Sequence, residues 1–402
     1  MNYLTKMSSI SILLLLLTGC WSARELTDIT IATAMAIDKD NDNYKVTIQV
    51  LNPSEIAGDT RSDRATISTY SATGTSIFEA LRRITKTSPR KIHLSHLQLI
   101  VYGEELAREG VGKTLDFLVR DHELRTDFDI AVAQGTSAKT LVSILTPLEQ
   151  IPATKIESSI QSSEDFWAPT KEVQLNEFVD MISSKGMEAV LTGIYMEGDP
   201  ETGMKMKNTE YSNAPVKVHL NSMGVFRGDK LIGWLNEDES KGFNYITDNV
   251  TNTVGWVNCE DGGTLSAETI QSITDLQGLW KNGQPSVKID VQVKANVGDV
   301  ECKIDLSNPK NIEKIEKKLE QKTKDLIEQS IKKAKDFNSD IFGFGQAIKR
   351  SHPHQWRTIE DDWGSLFSNV STEVNAEIEL KRAGMISKPI YDIINRKTEN
   401  EE

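Results

Sequence analysis

"SVKIDVQVKANVGDVECKIDLSNPKNIEKIEKKLEQKTKDLIEQSIKKAKDF" occupies residues 286–337 and changes character midway. Its first part reads as two strands, "SVKIDVQVKANV" and "VECKIDL". The remainder reads as a helix of more than twenty residues. Ile312, Ile315, Leu319, Leu326, Ile327, Ile331 and Ala334 share one stripe of that helix, with lysines and glutamates opposite. Such a stripe is expected to face the chain's own core rather than a partner's groove. Strands and a long amphipathic helix within one segment point to the α+β class. A glycine-broken segment, "DIFGFGQAI", a connection rich in His, Pro and Trp, and a last strand, "STEVNAEIEL", complete a C-terminal unit over 285–390. The acidic tail at 391–402, ending "KTENEE", is expected to lack fixed structure.

Upstream, residues 187–284 read as a middle, mostly β unit. There "SMGVFRGDKLIGWL" (222–235) forms a hairpin signal, two apolar runs around a Gly-Asp turn. Residues 20–186 read as a mixed α/β unit. Its strands are expected at Ile29 to Ile37, "YKVTIQVL", "ATISTYSA", "LQLIVY" and "DFDIAVA", with helices after Ser76 and near 112–120, 138–145 and 172–184. Ser76 and Glu79 have the spacing of a capping box. The stretch containing Pro147, Pro152 and Pro169 reads as loop. The expected architecture is therefore three mixed α/β domains in tandem, with no internal repeat.

The N-terminus has a different physical character. One cation, Lys6, precedes an apolar run from Ile10 to Leu17, and "LLLLLTGCWSAREL" (13–26) then passes from hydrocarbon to charge. The run is too short to span a bilayer, which takes roughly 20 apolar residues. A cationic head, a short apolar middle and a small-residue exit make residues 1–19 a lipoprotein signal peptide. Leu17-Thr18-Gly19-Cys20 presents the Cys20 thiol for diacylglycerol, with cleavage before it. A cysteine carrying two or three acyl chains anchors stably, whereas one chain holds only marginally. The body behind it carries a formal charge of −13 with 26% charged residues, which argues for a water-facing domain at a membrane and against a nucleic-acid partner. Cys259 and Cys302 are expected as buried free thiols rather than as a disulfide, because a chain of this size does not need stapling.

Several stretches imitate chemistry. Asp38-Lys39-Asp40-Asn41-Asp42 opens like a calcium loop, but Asn43 stands at the glycine position and Gln49 where a bidentate carboxylate is required, so a hairpin turn is expected. Gly343-Phe344-Gly345 lacks its third glycine, Ile348 standing there; the glycines are expected to make a bend that turns Phe342 and Phe344 inward. Ser88-Pro89-Arg90-Lys91 has the Ser-x-x-Lys spacing of a serine nucleophile, but Pro89 argues against the helix that it needs. His93/His96 and His352/His354 come without acidic companions, and metal binding is not expected. Arg227-Gly228-Asp229 is explained by the hairpin. No catalytic residue, cofactor site or metal site emerges.

"GCWSAREL" (19–26), "LSHLQLIVYGEELAREGV" (94–111), "GVFRGDKLIGWLNEDESKG" (224–242) and "NSDIFGFGQAI" (338–348), followed by Trp356 and Trp363, together resemble the Ger(x)C family. These are the lipoprotein C subunits of nutrient germinant receptors in endospore-forming bacteria. The resemblance covers nearly all of the chain beyond the signal, and Ser22 departs from the acidic residue common after that tryptophan. It implies three α+β domains, tethered through Cys20 to the outer face of the inner spore membrane beside A-type and B-type integral membrane subunits. It implies no enzymatic activity. An extracytoplasmic solute-binding lipoprotein is the alternative, although the scattered aromatics do not outline a two-lobed cleft. A lipid-anchored hydrolase would need a nucleophile and base that the sequence does not offer.

Overall fold

The computed structural model describes residues 28–56, 64–260 and 262–382. The signal peptide, Cys20, and the acidic tail lie outside the described residues. In chain order the first strands are β1 (Ile29–Asp40), β2 (Asn43–Leu51), β3 (Ile67–Gly74), β4 (Lys91–His93), β5 (Leu99–Gly103), β6 (Asp129–Ala133), β7 (Val190–Glu197), β8 (Lys217–Arg227) and β9 (Lys230–Leu235). Among the described residues these make one nine-stranded sheet, β3-β2-β1-β5-β6-β7-β8-β9, with β4 beside the start of β1. Its centre, β1, β5, β6 and β7, is parallel, and both flanks are antiparallel.

Alternate residues of the central strands divide between two apolar layers. Met35, Ile37, Ile100, Tyr102, Ile130 and Val132 enter one, and Ala34, Ala36, Leu99, Val101, Ala131 and Ala133 the other. Parallel strands buried on both faces need helices on both faces. These include α1 (Ile77–Ile84), α2 (Glu104–Glu109), α3 (Gly112–Arg120), α4 (Pro152–Phe166) and α5 (Leu175–Ser183). All but α4 cover the first layer; α4 covers the alanine-rich layer through Ala153, Ile156 and Ile160. The loop expected around Pro152 is thus this helix, because proline at a first helical position gives up an N–H that has no intrahelical partner anyway. Ser76 caps α1 as expected, its hydroxyl accepting from the Glu79 N–H at 3.1 Å. The Glu79 carboxylate, however, turns back to the Thr75 N–H and hydroxyl, both at 2.8 Å.

The second sheet follows β10 (Thr253–Asn258), β11 (Thr264–Lys281), β12 (Gln284–Val300) and β13 (Ser371–Arg382) in that order. β11 and β12 form a long hairpin whose turn, Asn282-Gly283, has φ of 52° and 78°, the mirror-image turn that matches strand twist. Val287, Ile289, Val291 and Val293 are buried, one residue in two, beneath α7 (Pro309–Asp336), which follows α6 (Glu237–Ile246) in the chain. Ile315, Leu319, Leu326, Ile327, Ile331 and Ala334 of α7 are buried with them, so the stripe faces the core. β12 and β13 are parallel, and α7, α8 (Phe344–Ser351) and α9 (Pro353–Ile359) supply part of the crossover that such a pair requires.

Two expectations about this half are corrected. "VECKIDL" forms no strand beyond Val300: the chain leaves the sheet at Glu301, whose N–H still reaches the Thr264 carbonyl at 2.9 Å. Cys259 and Cys302 are not free thiols but a disulfide with Cα atoms 6.1 Å apart, joining the end of β10 to the segment after β12. The middle stretch 187–284 divides its strands between the two sheets, β7 to β9 in the first and β10 and β11 in the second.

Candidate functional site

The stretches that imitate catalytic motifs are occupied by structural work. Asp38 is a buried residue of β1, not a solvated turn residue, and its carboxylate accepts the N–H groups of Ala138 (2.8 Å) and Lys139 (2.9 Å). Only Asn41 and Asp42 form the β1–β2 turn. Ser88 donates to the Arg90 carbonyl (2.7 Å) in a turn, so no helix carries Ser88 and Lys91 together. In the β8–β9 turn, the Asp229 carboxylate accepts the Gly112 N–H at 2.9 Å and the Asp229 carbonyl accepts the Val111 N–H at 2.9 Å. The Arg-Gly-Asp tripeptide therefore caps α3. His93 and His96 approach edge to face with centroids 6.3 Å apart. Among the described residues no group of three His, Cys, Asp or Glu side chains is arranged to hold a metal ion.

What the structure assembles instead is a junction between the two sheets, centred on Asp340. This carboxylate is buried and accepts N–H groups from Phe344 (3.0 Å), Gly345 (2.8 Å) and the Trp363 indole (2.9 Å). Burial pushes it up to about 6, against the pull of those donors. The Asp340 carbonyl accepts the Glu188 N–H (2.7 Å), Ser339 donates to the Phe226 carbonyl (2.6 Å), and the Gly186 carbonyl accepts the Gln346 N–H (3.1 Å). Gly343 takes a left-handed φ of 75° just before α8, and Phe342 and Phe344 are buried, as the bend reading expects. A Cβ on Gly345 would lie 2.7 Å from the Gly186 Cα and 2.7 Å from the Trp356 ring. Bare backbone thus meets backbone where the C-terminal segment crosses the first sheet. Both carboxylate oxygens of Asp340 are spent on donors, so the arrangement clamps rather than reacts.

A second buried group lies at the base of β6. Asp129 is pushed up to about 8, first by burial and then by Glu172, Glu157 and Glu164, and its Oδ2 has no hydrogen-bond partner. Burial holds Glu164 at about 7 even though the Glu172 N–H donates to it at 2.6 Å. Burial thus raises Asp129 and Glu164 well above the ordinary carboxylate range. Neither Asp340 nor Asp129 stands out in the sequence as a site residue, because burial, which creates both, is a tertiary property.

The pattern of the family described as "Spore germination protein N-terminal domain" matches residues 22–195, and that of "Spore germination B3/ GerAC like, C-terminal" matches residues 221–384. Spore germination protein KC of Bacillus subtilis (strain 168) is 33% identical over 94% of this chain and 95% of its own length. The chain belongs to the GerAC family of spore germination proteins.

Within this family, spore germination protein B3 of the same organism is 24% identical over 96% of the chain and 100% of its own length. The crystal structure of the GerBC protein superposes with a TM-score of 0.53 at 20% identity, covering 86% of this chain and 96% of that one; it shares the two-sheet mixed α/β fold. Both family patterns and these relatives are described as spore germination proteins. The two family patterns meet inside the first sheet, one ending in β7 and the next beginning in β8, strands that pair antiparallel. No helix among the described residues is long and apolar enough to cross a membrane.

Proposed function

We propose that this chain is the lipid-anchored C subunit of a nutrient germinant receptor, held through Cys20 at the outer face of the cell or inner spore membrane. There it acts through contacts with A-type and B-type integral membrane subunits. The observation that carries this reading is near full-length identity of 33% to spore germination protein KC. Leu17-Thr18-Gly19-Cys20 and the absence of a spanning helix among the described residues support a lipid anchor in place of a transmembrane one. A protein without chemistry of its own works by binding, and confinement to a thin layer raises its effective concentration beside membrane partners. Deleting the chain is expected to leave growth and sporulation intact and to abolish the response to one set of nutrients, while agents that bypass receptors still work. Loss of optical density in heat-activated spores over a nutrient panel measures this. A deletion strain that matches its parent on every nutrient, with related receptor operons removed, overturns the reading.

A further inference from the structure

We propose that the cavity between α1 and α3 is a binding site for a small monocarboxylate with an aromatic or branched apolar body. The cavity measures about 480 Å³, inside the roughly 300–1,000 Å³ usual for small-molecule sites. Its lining is apolar at Phe78, Leu81, Ile92, Leu94 and Phe117. Phe78 is 51% exposed on the solvent side of a helix whose Ile77, Ala80 and Ile84 are buried, so core packing does not account for it. The Phe117 ring stands 6.2 Å from it, centroid to centroid, giving the cavity two aromatic walls.

The lining carries three cations, Arg82, Lys91 and Arg120, and three carboxylates, Asp116, Asp121 and Glu123. Asp116 pairs with Arg120 at 2.6 Å, and Glu123 pairs with Lys91. Arg82 has no carboxylate within ion-pairing distance among the described residues, and its guanidinium carbon lies 4.9 Å from the Phe78 ring centroid. A guanidinium laid over a ring keeps its in-plane N–H groups free for a planar acceptor, and a carboxylate takes two of them in parallel. Asp121 accepts the Glu123 N–H at 2.8 Å, so the feature that recommends a carboxylate on an apolar body is local: the unpaired Arg82 guanidinium beside the two rings. Asp116, Asp121 and Glu123 in the same lining repel a polyanion such as a nucleotide. The volume suits a single small molecule rather than a docked helix.

This inference stands apart from the receptor reading, since it concerns binding by the chain alone and not a spore phenotype. The full-length chain in phosphatidylcholine vesicles would be dialysed to equilibrium against 3-phenylpropionate, with protein-free vesicles subtracted. Saturable uptake of one molecule per chain is expected, with a Kd of about 1 mM or tighter. Arg82→Gln, at an exposed position, is expected to weaken 3-phenylpropionate by at least about fivefold, and to leave the uncharged 3-phenylpropionamide unchanged. Phe78→Ala is expected to weaken both. Absence of saturable uptake, or equal uptake by the parent and Arg82→Gln, overturns the proposal. The former would leave the groove to a protein segment.

Discussion

Asp129 carries the largest consequence at the level of single residues. In an unfolded chain an aspartate titrates near 3.9, whereas in the folded chain this one is pushed up to about 8. Between those values the folded state holds a proton that the unfolded state has released, so stability falls as pH rises from about 4 toward 8. Glu164, raised to about 7, adds to the same slope. Asp129→Asn removes the larger titration and sets an amide N–H beside Glu172, Glu157 and Glu164. At pH 8 the variant should be more stable than the parent by about 1–3 kcal/mol, and at pH 5 within about 1 kcal/mol of it. Urea unfolding at the two pH values measures the difference. A variant that loses the same stability as its parent between pH 5 and pH 8 would show that the proton is held elsewhere.

Among the elements, α6 and α7 illustrate how contact rather than propensity sets geometry. Asn236 and Glu239 make a full capping box at the start of α6, a local signal inside a stretch otherwise expected to be mostly β. Once formed, α6 packs so closely that a Cβ on Gly242 would lie 2.1 Å from the Leu326 carbonyl oxygen of α7. Gly242→Ala would ordinarily favour a helix interior. Here it is expected to push the helices apart and cost about 1–3 kcal/mol, read as a lower urea midpoint with an unchanged m-value. A neutral or stabilising result would mean that the crossing is looser than it looks. α7 also covers the free edge of β13: the Glu316 carboxylate accepts the Leu380 N–H at 2.9 Å, and Glu320 lies 3.5 Å from that of Ile378. Those glutamates belong to the charged side of the helix in the sequence pattern. One of them, Glu320, is nevertheless buried, because an edge strand left open invites pairing with other chains.

For the whole molecule, the decisive features are the junction at Asp340 and the tether proposed at Cys20. The junction joins the first sheet to the C-terminal segment through buried hydrogen bonds, so the two ends of the described residues belong to one connected body. Cys20→Ala is expected to give an unprocessed, unlipidated precursor and to shift the protein from the membrane to the soluble fraction, since each buried acyl methylene contributes about 0.8 kcal/mol to anchoring. Fractionation and mass analysis of the mature N-terminus measure this. A mature chain beginning at an unmodified residue other than Cys20 would remove the lipid anchor from the account.

Local patterns in the sequence determined a good deal: the strand period of "SVKIDVQVKANV", the stripe of α7, the β8–β9 hairpin, the Ser76 cap and the bend at Gly343 all appear where short-range chemistry puts them. The quoted blocks likewise carried the family, which full-length similarity to relatives shows. Three outcomes were decided by the tertiary structure. Pro152 starts a helix because the alanine-rich face of the sheet offers Ala153, Ile156 and Ile160 a place to bury. Cys259 and Cys302 pair because β10 and the end of β12 flank β11 and bring them together across 43 residues of sequence. Asp340 and Asp129 became special only through burial, which withdraws water from a charge and depends on neighbours remote in the chain. Periodicity records which face of an element is apolar; it does not record what that face will meet.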